Sequence, residues 1–424
     1  MGAIKKLFIL ICSAALSFTV LAGCGEKDGR GETKNNKTFT VSVDDIASDM
    51  GAGWNLGNTL EANSGGTPGE TKWGNPEASQ EIIDMVADEG FSTIRIPVSY
   101  LSFIDDNNGY KIDDSWLDKI QEAVDYCCKK NLYVIINIHG DGYNTVDGGW
   151  LLVNSKDQEM IKAKYEAVWR QIAEKFKDYN EHLIFESMNE VFDGEYHDPI
   201  PEMYENLMDY NQIFVDTVRS TGSNNTHRWL LVPGWNTSID YTCKGYGFEL
   251  PEDKDNTAEE NRIMLSVHCY DPWDYCGTEN KKTYLWGEMG QQIVDINQAN
   301  PKAKATWGEE EYIETQFQKL KTQFVDNGVP VIIGEYGCID KSSSNAGIVR
   351  EINLNRVYYN GYIAGTAASM GIIPVYWDNG YNGIYGFGLF NRNTLEQTQP
   401  EIIDSIVTAV KNKDPQAGKD VQMG

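Results

Sequence analysis

The sequence predicts a single (β/α)8 barrel, and three observations carry that expectation. Eight short apolar runs recur along the chain, each bounded by turn residues. Helical patterns separate them, and polar or aromatic residues close most of the runs at their carboxyl ends. Strands of a parallel sheet are buried on both faces and read as continuous apolar runs, and strand–helix repetition of this kind is the pattern of a closed barrel.

The first run is Gly53-Trp54-Asn55-Leu56, followed by a helical pattern over 78–89 that Gly90 stops. The second, 93–98, leads to a helix over 115–130 with Ser115 as its N-cap and Leu117, Ile120 and Val124 at helical spacing. The third, 133–138, and the fourth, 183–185, are followed by helices over 160–176 and 203–219. The fifth and sixth, 229–232 and 263–267, lead into long loops at 241–260 and 271–308, which are expected to shape the product-side half of a cleft. A helix over 315–326, a seventh run over 330–333, a helix over 348–370, an eighth run over 372–377 and a last helix over 401–411 complete the series. A doubly wound open sheet is the rival fold. It would carry a G-x-G-x-x-G turn after its first strand, and Gly53-Trp54-Asn55-Leu56-Gly57 lacks that spacing.

The ends are read differently. Residues 1–23 have a Lys5-Lys6 start and a short apolar stretch closing on Leu21-Ala22-Gly23 ahead of Cys24, which resembles a bacterial lipoprotein signal with lipidation at Cys24. Residues 24–40 are a polar tether, 41–415 the single barrel domain, and 416–424 a disordered tail. The expected location is therefore extracellular, with membrane contact only through the lipid at Cys24. The balance of 36 basic against 63 acidic side chains, a net charge of −27, argues against nucleic acid and anionic surfaces as partners. A neutral polymer is not repelled by such a field. A monomer is expected. Of eight cysteines, six fall in the domain, and a Cys243–Cys276 pair is left open. No cysteine or histidine spacing suggests a metal site, and no cofactor is expected.

Chemistry enters through the strand ends. Arg95 interrupts the second run; His139 ends the third, Asn189-Glu190 the fourth, His268 and Tyr270 the sixth, Glu335 the seventh and Trp377 the eighth. In a barrel these ends converge on one mouth. Two carboxylic acids there, with an arginine to keep one ionised, suit cleavage of an acetal between sugars: one protonates the leaving oxygen and the other meets the oxocarbenium ion. On this reading one carboxylate has the charged support, and the other, drier and less well paired, keeps its proton. Trp73, Trp150, Trp235 and Trp273, in loops after strands, are candidate platforms for sugar rings.

These residues carry a family resemblance. Phe185-Glu186-Ser187-Met188-Asn189-Glu190 and Ile332-Ile333-Gly334-Glu335-Tyr336-Gly337 resemble the acid/base and nucleophile motifs of glycoside hydrolase family 5. Gly53 to Leu60, Trp73-Gly74-Asn75-Pro76, Thr93 to Val98, Phe176 to Tyr179, Leu231 to Gly234 and Trp377 to Gly380 resemble its subfamily 4 endoglucanases. The resemblance implies a retaining endo-β-1,4-glucanase acting on cellulose-like, mixed-linkage or xyloglucan chains. In it Glu335 is the nucleophile and Glu190 the acid/base, Arg95 and Tyr270 hold Glu335, and Asn189 binds the sugar 2-OH. His139 and His268 line the reacting subsite above a floor of Trp377. One departure is His139-Gly140, where the family commonly has two histidines. A β-mannanase on the same scaffold and a non-catalytic glycan-binding lipoprotein are the alternatives.

Overall fold

The computed structural model describes residues 39–254, 256 and 262–416; the signal, Cys24, most of the tether and the tail lie outside them. No helix among the described residues is long and apolar enough to cross a membrane. Eight strands close into a barrel: β1 (Gly53–Asn55), β2 (Thr93–Ile96), β3 (Tyr133–Ile136), β4 (Leu183–Glu186), β5 (Leu230–Ser238), β6 (Ile263–Cys269), β7 (Val331–Tyr336) and β8 (Ile372–Tyr376). All pair in parallel, and β1 closes the ring by setting Gly53 against both Thr93 and Val375. Each expected strand is present, and the open-sheet alternative falls.

The strands divide the core in two because successive side chains point to opposite faces. Tyr133, Ile135, Ile184, Trp229, Leu231, Met264, Ile332, Ile373 and Val375 point into the barrel and fill its lower half. Their neighbours Val134, Ile136, Leu183, Phe185 and Leu230 point outward against the surrounding helices. Burying each of these side chains stabilises the fold by roughly 1.5–3 kcal/mol. A helix the sequence did not announce, α1 (Val43–Met50), is capped by Ser42 and packs Ile46 and Met50 into the inner cluster from below. The barrel is thus apolar at its base, and buried polar groups gather toward the other end.

Around the barrel run α2 (Gln80–Asp88), α3 (Asp114–Lys129), α4 (Gln158–Phe176), α5 (Pro201–Ser220), α6 (Ile239–Cys243), α7 (Trp273–Cys276), α8 (Gly287–Asn297), α9 (Glu310–Gln323), α10 (Val349–Ser369) and α11 (Pro400–Asn412). The N-cap of α3 is Asp113 rather than Ser115: its carboxylate accepts both the N–H and the hydroxyl of Ser115, which lies in the first turn. The two long loops are partly helical, holding α6 in one and α7 and α8 in the other. The six described cysteines are free; Cys276 is buried and donates to the Tyr359 hydroxyl at 3.0 Å, so the pairing with Cys243 does not form.

Candidate active site

At the carboxyl ends of the strands one arginine organises the floor. Arg95, fully buried on β2, donates from Nε to Glu186 of β4 at 2.7 Å and from Nη2 to Asn189 at 2.7 Å. From Nη1 it donates to Asn55 of β1 at 3.0 Å and to Glu335 of β7 at 2.9 Å. Burial opposes its charge, but the two carboxylates outweigh that and raise its pKa. Glu186 accepts further bonds from Asn137 at 2.9 Å and Ser266 at 2.7 Å, so the ion pair sits in a saturated network. Asn55 is fixed in turn by donating to the carbonyls of Gly334 and Tyr376.

Above this floor stand the two glutamates. Glu335 accepts from Arg95 at one oxygen and from the Tyr270 hydroxyl at the other, at 2.9 Å. Glu190 accepts from His268 Nδ1 at 2.7 Å and from the Tyr143 hydroxyl at 3.0 Å. One carboxyl oxygen of Glu190, one of Glu335 and a ring nitrogen of His268 all lie within 4.8 Å of one another. Carboxyls whose oxygens approach this closely fit the roughly 5–5.5 Å spacing of covalent glycoside chemistry better than the 6.5–9.5 Å that admits an inverting water.

The resting electrostatics reverse one expectation. Glu190 is the wetter member, its side chain 27% exposed against 7% for Glu335. Burial pushes the Glu335 carboxyl up; His268 and Arg95 pull it down less strongly, and Glu190 adds to the rise. Burial would raise Glu190 too, but the hydrogen bond and electrostatic pull of His268, helped by Tyr143, hold it below the usual carboxylate range. Carboxyls this close titrate as a pair. Sequence spacing could not reveal that two neighbours divide the oxygens of Glu190 between them.

His139 and Trp377 form one wall, their rings stacked with centroids 5.9 Å apart. His139 is held neutral: burial, then Arg95 and His268, push its pKa well below the ordinary value. Trp377 follows β8, and its neighbour Asp378 accepts from Trp54 Nε1 at 3.0 Å and from the guanidinium of Arg392 at 3.1 Å. Arg392 also donates to the Gly57 carbonyl, beside buried Glu61, whose carboxyl burial raises to about 7. At Gly140, where the family commonly has a second histidine, the N–H donates to the Ser99 hydroxyl at 2.9 Å, and a Cβ would lie 2.6 Å from that oxygen, so a side chain here would require Ser99 to turn away.

Every strand-end residue anticipated from sequence reaches this mouth, but the aromatic platforms divide. Trp73 and Trp273 are half exposed. Trp235 and Trp150 are buried and offer no face to a sugar. Trp235 packs edge-on to Tyr204, while Trp150 donates to Asp141 and lies under Lys164. Residues that sequence reasoning missed are Asn55, Asn137, Tyr143, Glu186 and Ser266. Asn55 and Glu186 had a signal, a polar residue inside an apolar run; Tyr143 had none. Glu190, His268 and Glu335 are also close enough to hold a cation. Their donor atoms are already matched to one another, to Arg95 and to the tyrosine hydroxyls, which is the pattern of an acid–base site.

A barrel whose fourth and seventh strands deliver paired glutamates over an arginine-held floor is a glycoside hydrolase. The family model described as cellulase (glycosyl hydrolase family 5) matches residues 57–383, and the chain belongs to that family. It is 47% identical over 405 residues to endoglucanase A of Paenibacillus barcinonensis, covering 95% of this chain and 98% of the relative. Among solved structures, the family 5 xyloglucanase from Paenibacillus pabuli superposes with a TM-score of 0.81 at 52% identity, covering 86% of this chain and 99% of that one. A broad-specificity endoglucanase of subfamily 4 from Bacteroides salanitronis gives 0.78 at 37% identity, covering 88% and 96%.

Proposed function

We propose that the protein is a retaining endo-β-1,4-glucanase in which Glu335 attacks the anomeric carbon and Glu190 protonates the leaving oxygen, then deprotonates water. The observation that carries this reading is the approach of the two carboxyls to within 4.8 Å at the barrel mouth. Arg95 and Tyr270 hold both oxygens of Glu335, so its lone pairs are aimed and its charge is stabilised as it approaches the sugar. A chain seated against Glu190 covers its exposed edge and strips water from it, which strengthens its hold on a proton. Asn189, oriented by Arg95, places its amide N–H groups where a sugar 2-OH accepts one. The stacked His139–Trp377 wall gives the reacting ring a flat face.

The endoglucanase and xyloglucanase relatives support a scope of cellulose-like, mixed-linkage and xyloglucan chains. Initial rates with product-length analysis should show endo-cleavage of these glucans, with β-mannan at least about tenfold slower. Faster cleavage of mannan would overturn the glucanase reading in favour of a mannanase. Reducing-sugar release at background on every chain would leave only a glycan-binding protein.

A further inference from the structure

We propose that Tyr143, on the loop after β3, is a positioning residue for Glu190, supplying the hydroxyl against which the carboxyl gains and loses its proton. The proposal rests on Glu190 being the acid/base. Each oxygen of Glu190 has one protein partner: His268 Nδ1 on Oε1 and the Tyr143 hydroxyl on Oε2. Those partners differ in kind. With its proton on Nδ1, the form that pairs with ionised Glu190, the imidazole has a fixed direction and can only donate there, whereas a hydroxyl turns about its C–O bond and can donate or accept. When Glu190 takes up a proton while His268 still donates from Nδ1, Tyr143 is the neighbouring side chain able to accept from the oxygen that carries it. Oε2 is therefore the proton-bearing oxygen. Tyr143 donates to it when Glu190 is ionised and accepts from it when Glu190 is protonated.

The hydroxyl is held in place for both tasks. Asn189 Nδ2 donates to it at 2.7 Å, and the orientation of that amide is set because Arg95, which can only donate, takes Asn189 Oδ1. Backbone packing fixes the loop: a Cβ on Gly142 would lie 2.6 Å from Val191, the residue after Glu190, and Asp141 accepts from the N–H groups of Tyr100 and Leu101. An unbroken chain thus runs from Glu335 through Arg95, Asn189 and Tyr143 to Glu190. The other ionisable groups facing Glu190 are His268, Glu335, Arg95 and Tyr270.

Tyr143→Phe in the full chain tests this. Ionised Glu190 loses a donor, so its proton affinity rises, and the basic limb of the kcat/KM profile, which reports the free acid, should move to higher pH. Turnover of glucan should fall about tenfold, with the melting temperature kept within a few degrees. The same substitution is then placed in Glu190→Ala, assayed on an aryl cellobioside with azide. There azide displaces Glu335 from the anomeric carbon to give the β-glycosyl azide, and no acid/base takes part. Tyr143→Phe should change that rate less than about twofold. Equal slowing in both backgrounds, or an unmoved basic limb, makes Tyr143 a packing residue and overturns the proposal. Failure of azide to rescue Glu190→Ala would instead remove the acid/base assignment beneath it.

Discussion

Glu335→Gln should fold as well as the parent and lose at least about three orders of magnitude in kcat, a barrier increase of roughly 4 kcal/mol. The amide keeps the shape of the side chain and leaves an oxygen to accept from Arg95, but it cannot attack a sugar carbon. Stability should hold or rise. The carboxyl is buried and its pKa is raised, so its charge is carried against desolvation, and a neutral amide removes that cost. Thermal melting beside reducing-sugar release separates the two effects. Retention of more than about a tenth of the parent's turnover would mean that another group is the nucleophile.

Arg95→Met acts on the floor rather than on the reacting atom, and it should damage both activity and fold. It strips the guanidinium from Glu186 and Glu335, the partners at 2.7 Å and 2.9 Å, and leaves Asn189 without the donor that orients it. Breaking a buried ion pair by removing one partner costs about 3–5 kcal/mol, because a charge stays in the interior uncompensated. Activity should fall at least about a hundredfold even at temperatures where the protein is folded. Arg95→Lys should not restore it, since a single ammonium cannot serve Glu186, Asn55, Glu335 and Asn189 at once. Denaturant melts with rates measured well below the transition check both halves. A folded, active Arg95→Met protein would show that the network is dispensable.

What the sequence disclosed follows from where side chains must point. The barrel was legible because strands buried on both faces read as unbroken apolar runs, so Tyr133 to Ile136 and Leu183 to Phe185 stood out. Arg95, Glu190, His268, Glu335 and Trp377 were legible for the converse reason: polar or aromatic groups closing such runs face one mouth. Asn55 and Glu186 obey the same rule, and Asn55 sits in register beside Arg95. Four helices escaped. α1, α6 and α7 are only eight, five and four residues long, and α8 opens with Gly287 and Gly290, which weaken the helical pattern. Trp150 and Trp235 could not be separated from surface tryptophans by spacing, since burial depends on what packs over them. Tyr143 and the exposed edge of Glu190 depend on how the loop after β3 folds back, a tertiary fact with no periodic trace.

The central claim is that two carboxyls this close perform a double displacement, and the product anomer reports it most directly. A proton NMR time course of soluble glucan cleavage, followed from the first seconds, should show the β-anomer of the new reducing end first, with the α-anomer growing later by mutarotation. Initial appearance of the α-anomer would mean single inversion by water, and would contradict Glu335 as nucleophile and Glu190 as acid/base.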